Sequence, residues 1–196
     1  MKKLIYAFFL MALTVGFAAS GASAQDMKDD KKMSKNDNPM VGGAAMYKDK
    51  NIVENAMNSK DHTTLVAAVK AAGLVETLSG KGPFTVFAPT NMAFDKLPAG
   101  TVDMLLKPEN MAMLQKVLKY HVVAGKMDSK AIMKAIKKGN GKAMLTTVAG
   151  GMLTATMNGN MLMLTDEKGG MSTVTIADVK QSNGVIHVVD TVLMPN

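Results

Sequence analysis

The hydrophobic period of this chain changes partway along, and that change restricts what it can fold into. In the first part, apolar residues recur at helical spacing. Ile52, Val53, Ala56 and Met57 share one helix face. Leu65, Ala68, Val69 and Ala72 repeat the pattern, with Asp61 or Thr63 placed to cap the start and Gly73 the end. Pro83–Pro89 interrupts as a short buried strand bracketed by prolines. Thr90 or Asn91 then caps a helix carrying Met92 and Phe94. Thr101–Leu106 adds turns, and Pro108 opens a longer helix with Leu114, Val117, Leu118 and His121 on one side. Ser129–Lys138 is amphipathic, with Ile132, Ala135 and Ile136 inward and Lys134, Lys137 and Lys138 outward. Beyond it the period is two. Leu145–Ala149 and Met152–Met157 flank a Gly150-Gly151 hairpin signal, and Asn158-Gly159-Asn160, Asp166–Gly170 and Asn183-Gly184 separate three further strands. Helices first and a β-meander afterwards predict an α+β domain, not a doubly wound one.

The N-terminus carries an address. Lys2 and Lys3 precede an apolar run from Leu4 to Ala19, and Ala22 and Ala24 form an A-x-A exit. Residues 1–24 are predicted to be a secretory signal peptide. The run is short for a bilayer span, so no transmembrane anchor is expected after cleavage. Residues 25–50 mix Asp and Lys without periodicity and contain Asn38-Pro39 and Gly42-Gly43, which predicts a flexible polar leader. The folded domain is expected at 51–196, in a secreted or periplasmic protein.

Composition excludes several chemistries. Among 196 residues there is no Cys and no Trp, and every basic residue is Lys. That removes disulfides, thiolate metal sites and Cys nucleophiles. Without Arg, the net charge of +7 is weak support for nucleic-acid binding. Ser59, Ser79 and Ser182 sit in turn-like contexts outside any G-x-S-x-G elbow, and His62, His121 and His187 are isolated, with no H-E-x-x-H. No cofactor, metal or catalytic role is predicted. Each His is read first as a neutral, hydrogen-bonded imidazole in or near the core.

Three blocks stand out: Thr85–Phe94 (TVFAPTNMAF), Leu118–Gly125 (LKYHVVAG) and Asn183–Pro195 (NGVIHVVDTVLMP). In order and spacing they resemble the fasciclin (FAS1) family, over about Asn51 to Pro195. The resemblance implies a β-sandwich or wedge packed with several helices. It also implies non-covalent adhesion, or binding to extracellular protein, matrix or polysaccharide, rather than catalysis. The family's Tyr-His pair matches Tyr120-His121. Its Asp-Ile adhesion element falls, by spacing from Asn-Gly, on Asp178-Val179, with Val in place of Ile. These four are the candidate binding residues. For Tyr120-His121 the competing role is an anchor between helix and sheet. Some members of the family carry apolar pigments, so a small apolar ligand such as a carotenoid or lipid is the alternative.

The chain is also rich in Met, with 20. Met111-x-Met113 and Met161-x-Met163 bring thioethers near one another. Such groups suit Cu(I), fill cores in place of Leu, or accept oxygen from oxidants. The lysines 134, 137, 138 and 142 form a basic patch that reads as a solvated face or a contact for acidic polysaccharide. One expectation is directly checkable: the exported protein begins at Gln25, as read by intact mass, and retention of residues 1–24 removes the secretory assignment.

Overall fold

The computed structural model describes residues 38–196; the signal segment and residues 25–37 lie outside them. Chain order is β1 (Met40–Val41), β2 (Ala44–Ala45), α1 (Ile52–Asn58), α2 (Thr63–Ala71), α3 (Val75–Ser79), β3 (Phe84–Pro89), α4 (Asn91–Asp95), α5 (Thr101–Leu105), α6 (Met111–Tyr120), β4 (Val122–Ala124), α7 (Ser129–Lys138), β5 (Lys142–Thr146), β6 (Met152–Asn158), β7 (Met161–Thr165), β8 (Met171–Gln181) and β9 (Gly184–Val189). Short 3₁₀ turns at Lys60–His62 and Pro108–Asn110 lead into α2 and α6. The α+β expectation holds.

Seven strands form one sheet in the order β4-β3-β9-β8-β7-β6-β5. All neighbours are antiparallel except β3 and β9, which run parallel from Phe84↔Gly184 to Pro89↔Val189. The sheet curls until its edges nearly meet. Val123 bridges Thr147, and the Val148 amide donates to the Val122 carbonyl at 2.7 Å. That contact explains why the β5–β6 hairpin is wider than its Gly-Gly signal suggests. Pairing stops at Thr146↔Met152, and the intervening loop is drawn across to β4.

Two cores result. Successive residues of a strand face opposite sides, and β3 and β9 bury both. Val86, Ala88, Ile186 and Val188 pack with α1, α2 and α6. Phe87 and Val189 point into the curl, with Leu145, Leu153, Leu164 and the Ile132/Ile136 stripe of α7. Asp128 caps α7 by accepting the Ala131 amide at 2.8 Å. Gly139 ends it where a Cβ would lie 2.0 Å from the Lys142 carbonyl oxygen.

Two expectations need correction. On α1, Met57 is exposed and Asn55 is buried instead. The Asn55 carboxamide exchanges two hydrogen bonds with the Tyr47 backbone and donates to Gln181. Neither Asp61 nor Thr63 caps α2. Asn91 does so from across the fold, accepting the Thr64 amide at 3.0 Å.

The leader expectation also fails for residues 39–50. Val41 and Met46 are 3% and 2% exposed and belong to the helical core. The Gly42 carbonyl accepts from the Lys60 amide, and the Lys50 carbonyl from the Ser182 amide. The apolar residues of 40–47 (MVGGAAMY) form a short run split by Gly42-Gly43 with neither helical nor strand period, which is why the sequence reads this segment as unstructured. Removing residues 25–47 therefore strips two core side chains and the Tyr47 backbone partner of Asn55. It is expected to cost about 3 kcal/mol, a fall in Tm of roughly 10 °C by calorimetry. An unchanged Tm contradicts the packing of Val41 and Met46.

Candidate functional site

The Tyr120-His121 pair sits where α6 turns into β4. A helix leaves its last carbonyls unpaired, and here a side chain takes one. His121 Nδ1 lies 2.9 Å from the Val117 carbonyl oxygen, and His121 Nε2 accepts the Leu193 amide at 3.0 Å. The tautomer follows: Nδ1 carries the proton and Nε2 is the acceptor. The imidazole is 3% exposed and joins the end of α6 to the C-terminal segment. Burial drives its pKa down from 6.5 to about 4, more than the Val117 bond and the Asp166 charge restore.

Tyr120 points to the other side and is 0% exposed. Its hydroxyl donates to the Met152 carbonyl at 2.7 Å and accepts the Glu167 amide at 3.2 Å. Burial raises its pKa above 10. Glu167 returns the link through its carboxylate, which accepts the Met152 amide at 2.9 Å. Gly151 makes room, since a Cβ there would stand 2.8 Å from the Tyr120 ring. Asp166, next to Glu167, accepts the Met194 amide at 2.9 Å and Glu167 accepts the Asn196 amide at 3.3 Å, so the C-terminal segment is fastened along its length.

Asp178 and Val179 lie on β8, at a register irregularity between Ile176 and Val179. Asp178 has φ +62°, a left-handed conformation tolerated by Asp. It turns its carboxylate onto the first turn of α7, accepting the Ser129 amide at 2.6 Å and the Ser129 hydroxyl. Burial works to raise its pKa, but the Ser129 bonds and the His187 and Lys180 charges outweigh it and hold the carboxyl below its ordinary value. Val179 is 0% exposed, in the helical core. Beside Asp178, His187 Nε2 meets the Met127 carbonyl at 2.9 Å, and its ring stacks on Phe87 at 5.6 Å.

The four candidate residues thus form two separate joints. Three of the four side chains are buried, and the fourth is engaged with α7. His121 and His187 are hydrogen-bonded at both nitrogens. The His62 Nδ1 meets Ser59 Oγ at 2.8 Å, and its Nε2 has no partner. Among the described residues no three His, Asp or Glu side chains are grouped to hold a metal ion.

What the motifs did not point to is on the surface. Lys130, Lys134, Lys137 and Lys138 line the outer side of α7, with Lys142 beside them on β5, all exposed. Among the described residues the one lysine–carboxylate ion pair is Lys96–Asp190 at 3.5 Å, so the α7 lysines carry no bound counter-charge. An open groove bounded by Ala135, Lys138, Gly139, Lys142 and Met144 adjoins them. The amphipathic pattern of Ser129–Lys138 supplied this signal in advance.

Two outcomes follow for the α6–β4 joint. His121→Ala leaves the Val117 carbonyl and Leu193 amide unpaired beside a cavity, costing roughly 2–4 kcal/mol, and Tyr120→Phe costs about 1 kcal/mol. Denaturant melts read both, and parent-like stability in His121→Ala refutes the anchor. The pH response has a defined sign. The unfolded His titrates near 6.5 and the folded one near 4, so between these values the unfolded chain binds more protons. Stability is full above pH 6.5 and falls as pH drops toward 4, by about 3 kcal/mol for His121 alone. The lowered pKa values of His62 and His187 add in the same direction. A flat Tm between pH 7 and 4.5 contradicts this.

Comparison with known proteins agrees with the geometry. The family model described as "Fasciclin domain" matches residues 60–195. Protein sll1483 of Synechocystis is 47% identical over 156 residues, covering 80% of this chain and 79% of that one. Immunogenic protein MPB70 of Mycobacterium bovis is 37% identical over 145 residues, 71% of this chain and 66% of that one. Human periostin is 31% identical over 136 residues, 69% of this chain but only 15% of periostin. The structure of a FAS1 domain pair from the insect cell adhesion molecule Fasciclin I superposes with a TM-score of 0.55 at 21% identity. The match covers 66% of this chain and 43% of that one, and shows a shared fold. This chain belongs to the fasciclin domain family.

Proposed function

We propose that this protein is exported and acts outside the cytoplasm as a single-domain adhesion module. It would bind acidic polysaccharide or an acidic extracellular protein without covalent chemistry. Family membership supports the class. The observation that carries the partner chemistry is the unneutralised lysine face of α7. Lys137 and Lys138 also complement the helix dipole at its C-terminus, but that role does not extend to Lys130, Lys134 and Lys142. Charge without Arg forks favours diffuse, salt-sensitive binding to a polyanion over bidentate recognition.

Carriage of a carotenoid or lipid is the second reading. An apolar cavity lies between α1, α2, α3, α6 and β3, lined by Ile52, Val69, Leu78, Val86 and Leu118. Its volume of about 40 Å³ suits one or two waters and falls far below the 300 Å³ or more typical of ligand pockets. A polyene would require the helices to part. Adhesion is therefore the reading we carry forward.

Binding to immobilised heparin, used as a model polyanion, tests it. The parent is expected to bind at low salt and release as salt rises. A Lys130→Gln, Lys134→Gln, Lys137→Gln, Lys138→Gln variant is expected to bind at least about tenfold more weakly with a cooperative melt and Tm lowered by less than about 5 °C. Equal binding by both proteins overturns the assignment of the face, and a coloured or lipid-extractable ligand in the purified protein favours the carrier.

A further inference from the structure

Among the described residues, methionine is mostly exposed and leucine mostly buried. Of those described, Met46 alone is buried. Nine others are at least 40% exposed, up to 73% at Met92. Leucine shows the reverse. Leu97 and Leu106 are half-buried and every other described Leu is buried. Met and Leu exchange in cores at small cost. Use of Met as a neutral substitute for Leu would therefore scatter it through both cores. Six more are half-buried, four of them (Met111, Met127, Met157 and Met194) packed against the cores, so exchange with Leu accounts for these but not for the nine exposed thioethers.

The thioethers are densest on the outer face of β5–β8. Cross-strand register places Met144, Thr154, Thr165 and Met171 in one row, and Thr156, Met163 and Thr173 in the next. The same strands turn Leu145, Leu153, Ala155, Leu162 and Leu164 inward. Each strand thus presents sulfur or hydroxyl to solvent and saturated carbon to the core. With no thiol and no indole in the chain, the exposed thioether is its most readily oxidised surface group.

We propose that this surface is a sacrificial oxidant sink, in which exposed methionines take up oxygen from hypohalous acids or peroxides while the fold stays intact. With hypochlorous acid, a sulfur–oxygen bond forms and the oxygen–chlorine bond breaks. Sulfur gives up two electrons, chlorine leaves as chloride, and the hydroxyl proton goes to water. The product sulfoxide is polar and chiral, which disrupts a core. On the outer face its oxygen is hydrated and displaces nothing. Exposure also leaves the sulfoxides open to thiol-dependent methionine sulfoxide reductases, so the sink is renewable.

The test titrates the folded protein with hypochlorous acid and follows oxygen uptake by peptide mass mapping, with a thermal melt at each step. Met144, Met152, Met161 and Met171 are expected to oxidise at least about tenfold faster than Met46. The melt should stay cooperative, with Tm lowered by less than about 5 °C. A co-incubated indicator enzyme should be protected in proportion to the thioethers present. A Met144→Thr, Met152→Thr, Met161→Thr, Met171→Thr variant keeps the β-face chemistry and should protect less. Oxidation of Met46 in step with the others, loss of the cooperative melt at the first equivalents of oxidant, or equal protection by the variant overturns the proposal. The mapping on the parent protein decides even if the variant folds poorly.

Discussion

The parallel pairing of β3 with β9 is the contact on which the rest of this fold depends. It joins segments 100 residues apart, Phe84 to Gly184 and onward, so it closes a long loop before any reward is collected. Its strands bury every residue of β9 and all but the first of β3. Close backbone approach at the start of the pairing needs glycine. A Cβ on Gly184 would stand 2.1 Å from the Phe84 carbonyl oxygen, and one on Gly82 2.0 Å from that of Asn183. Further along, Phe87 and His187 face each other in register and stack. Both cores are then built outward from the two faces of this one ribbon.

The blocks that carry the family resemblance are the fasteners of that ribbon. Asn183 donates to the Leu78 and Gly80 carbonyls and accepts the Ile52 amide, tying the β8–β9 turn to α1 and α3. Thr90 caps α4, while Asn91 caps α2 and donates to the Lys60 carbonyl. Tyr120 and His121 secure the far end of α6 to the β6–β7 region and to the C-terminal segment. Each block satisfies backbone groups that would otherwise be buried unpaired, at a cost of about 1–3 kcal/mol apiece. Removing such a residue is expected to disturb binding through the fold, not through a lost contact.

Much of this was legible in the sequence where local pattern and tertiary burial agree. Ser129–Lys138 is a helix with the expected ends because Asp128 caps it, Gly139 stops it and its apolar stripe has a single side to bury. β6 and β7 fall within a residue or two of their expected bounds because period-two alternation matches a sheet with one wet face, while β9, buried on both faces, is marked by its apolar run after Asn183-Gly184. Failures have a common cause, which is long-range pairing. Val41 and Met46 enter the core through contacts with α1 and β9 that no local window contains. The left-handed Asp178 is set by Ser129, 49 residues away. The loop at Thr147–Gly151 is widened by β4. The Tyr-His pair was recognisable by resemblance, but whether it faced solvent depended on where Met152, Glu167 and Leu193 ended up.

That arrangement separates two kinds of information in the chain. The hydrogen-bonding side chains of the family blocks are taken up by the fold itself, so they specify a scaffold and say little about what touches it. The side chains that the scaffold leaves free are the ones open to a partner. Two such surfaces are unusual in composition: the lysine side of α7 and the methionine–threonine face of β5–β8. They meet at β5, where Lys142 and Met144 alternate with the buried Ala143 and Leu145. A polyanion held by the lysines would therefore lie alongside exposed thioethers, and oxidant reaching it would meet them too. If both proposals hold, attachment and oxidant uptake would be properties of one continuous surface on α7 and β5–β8.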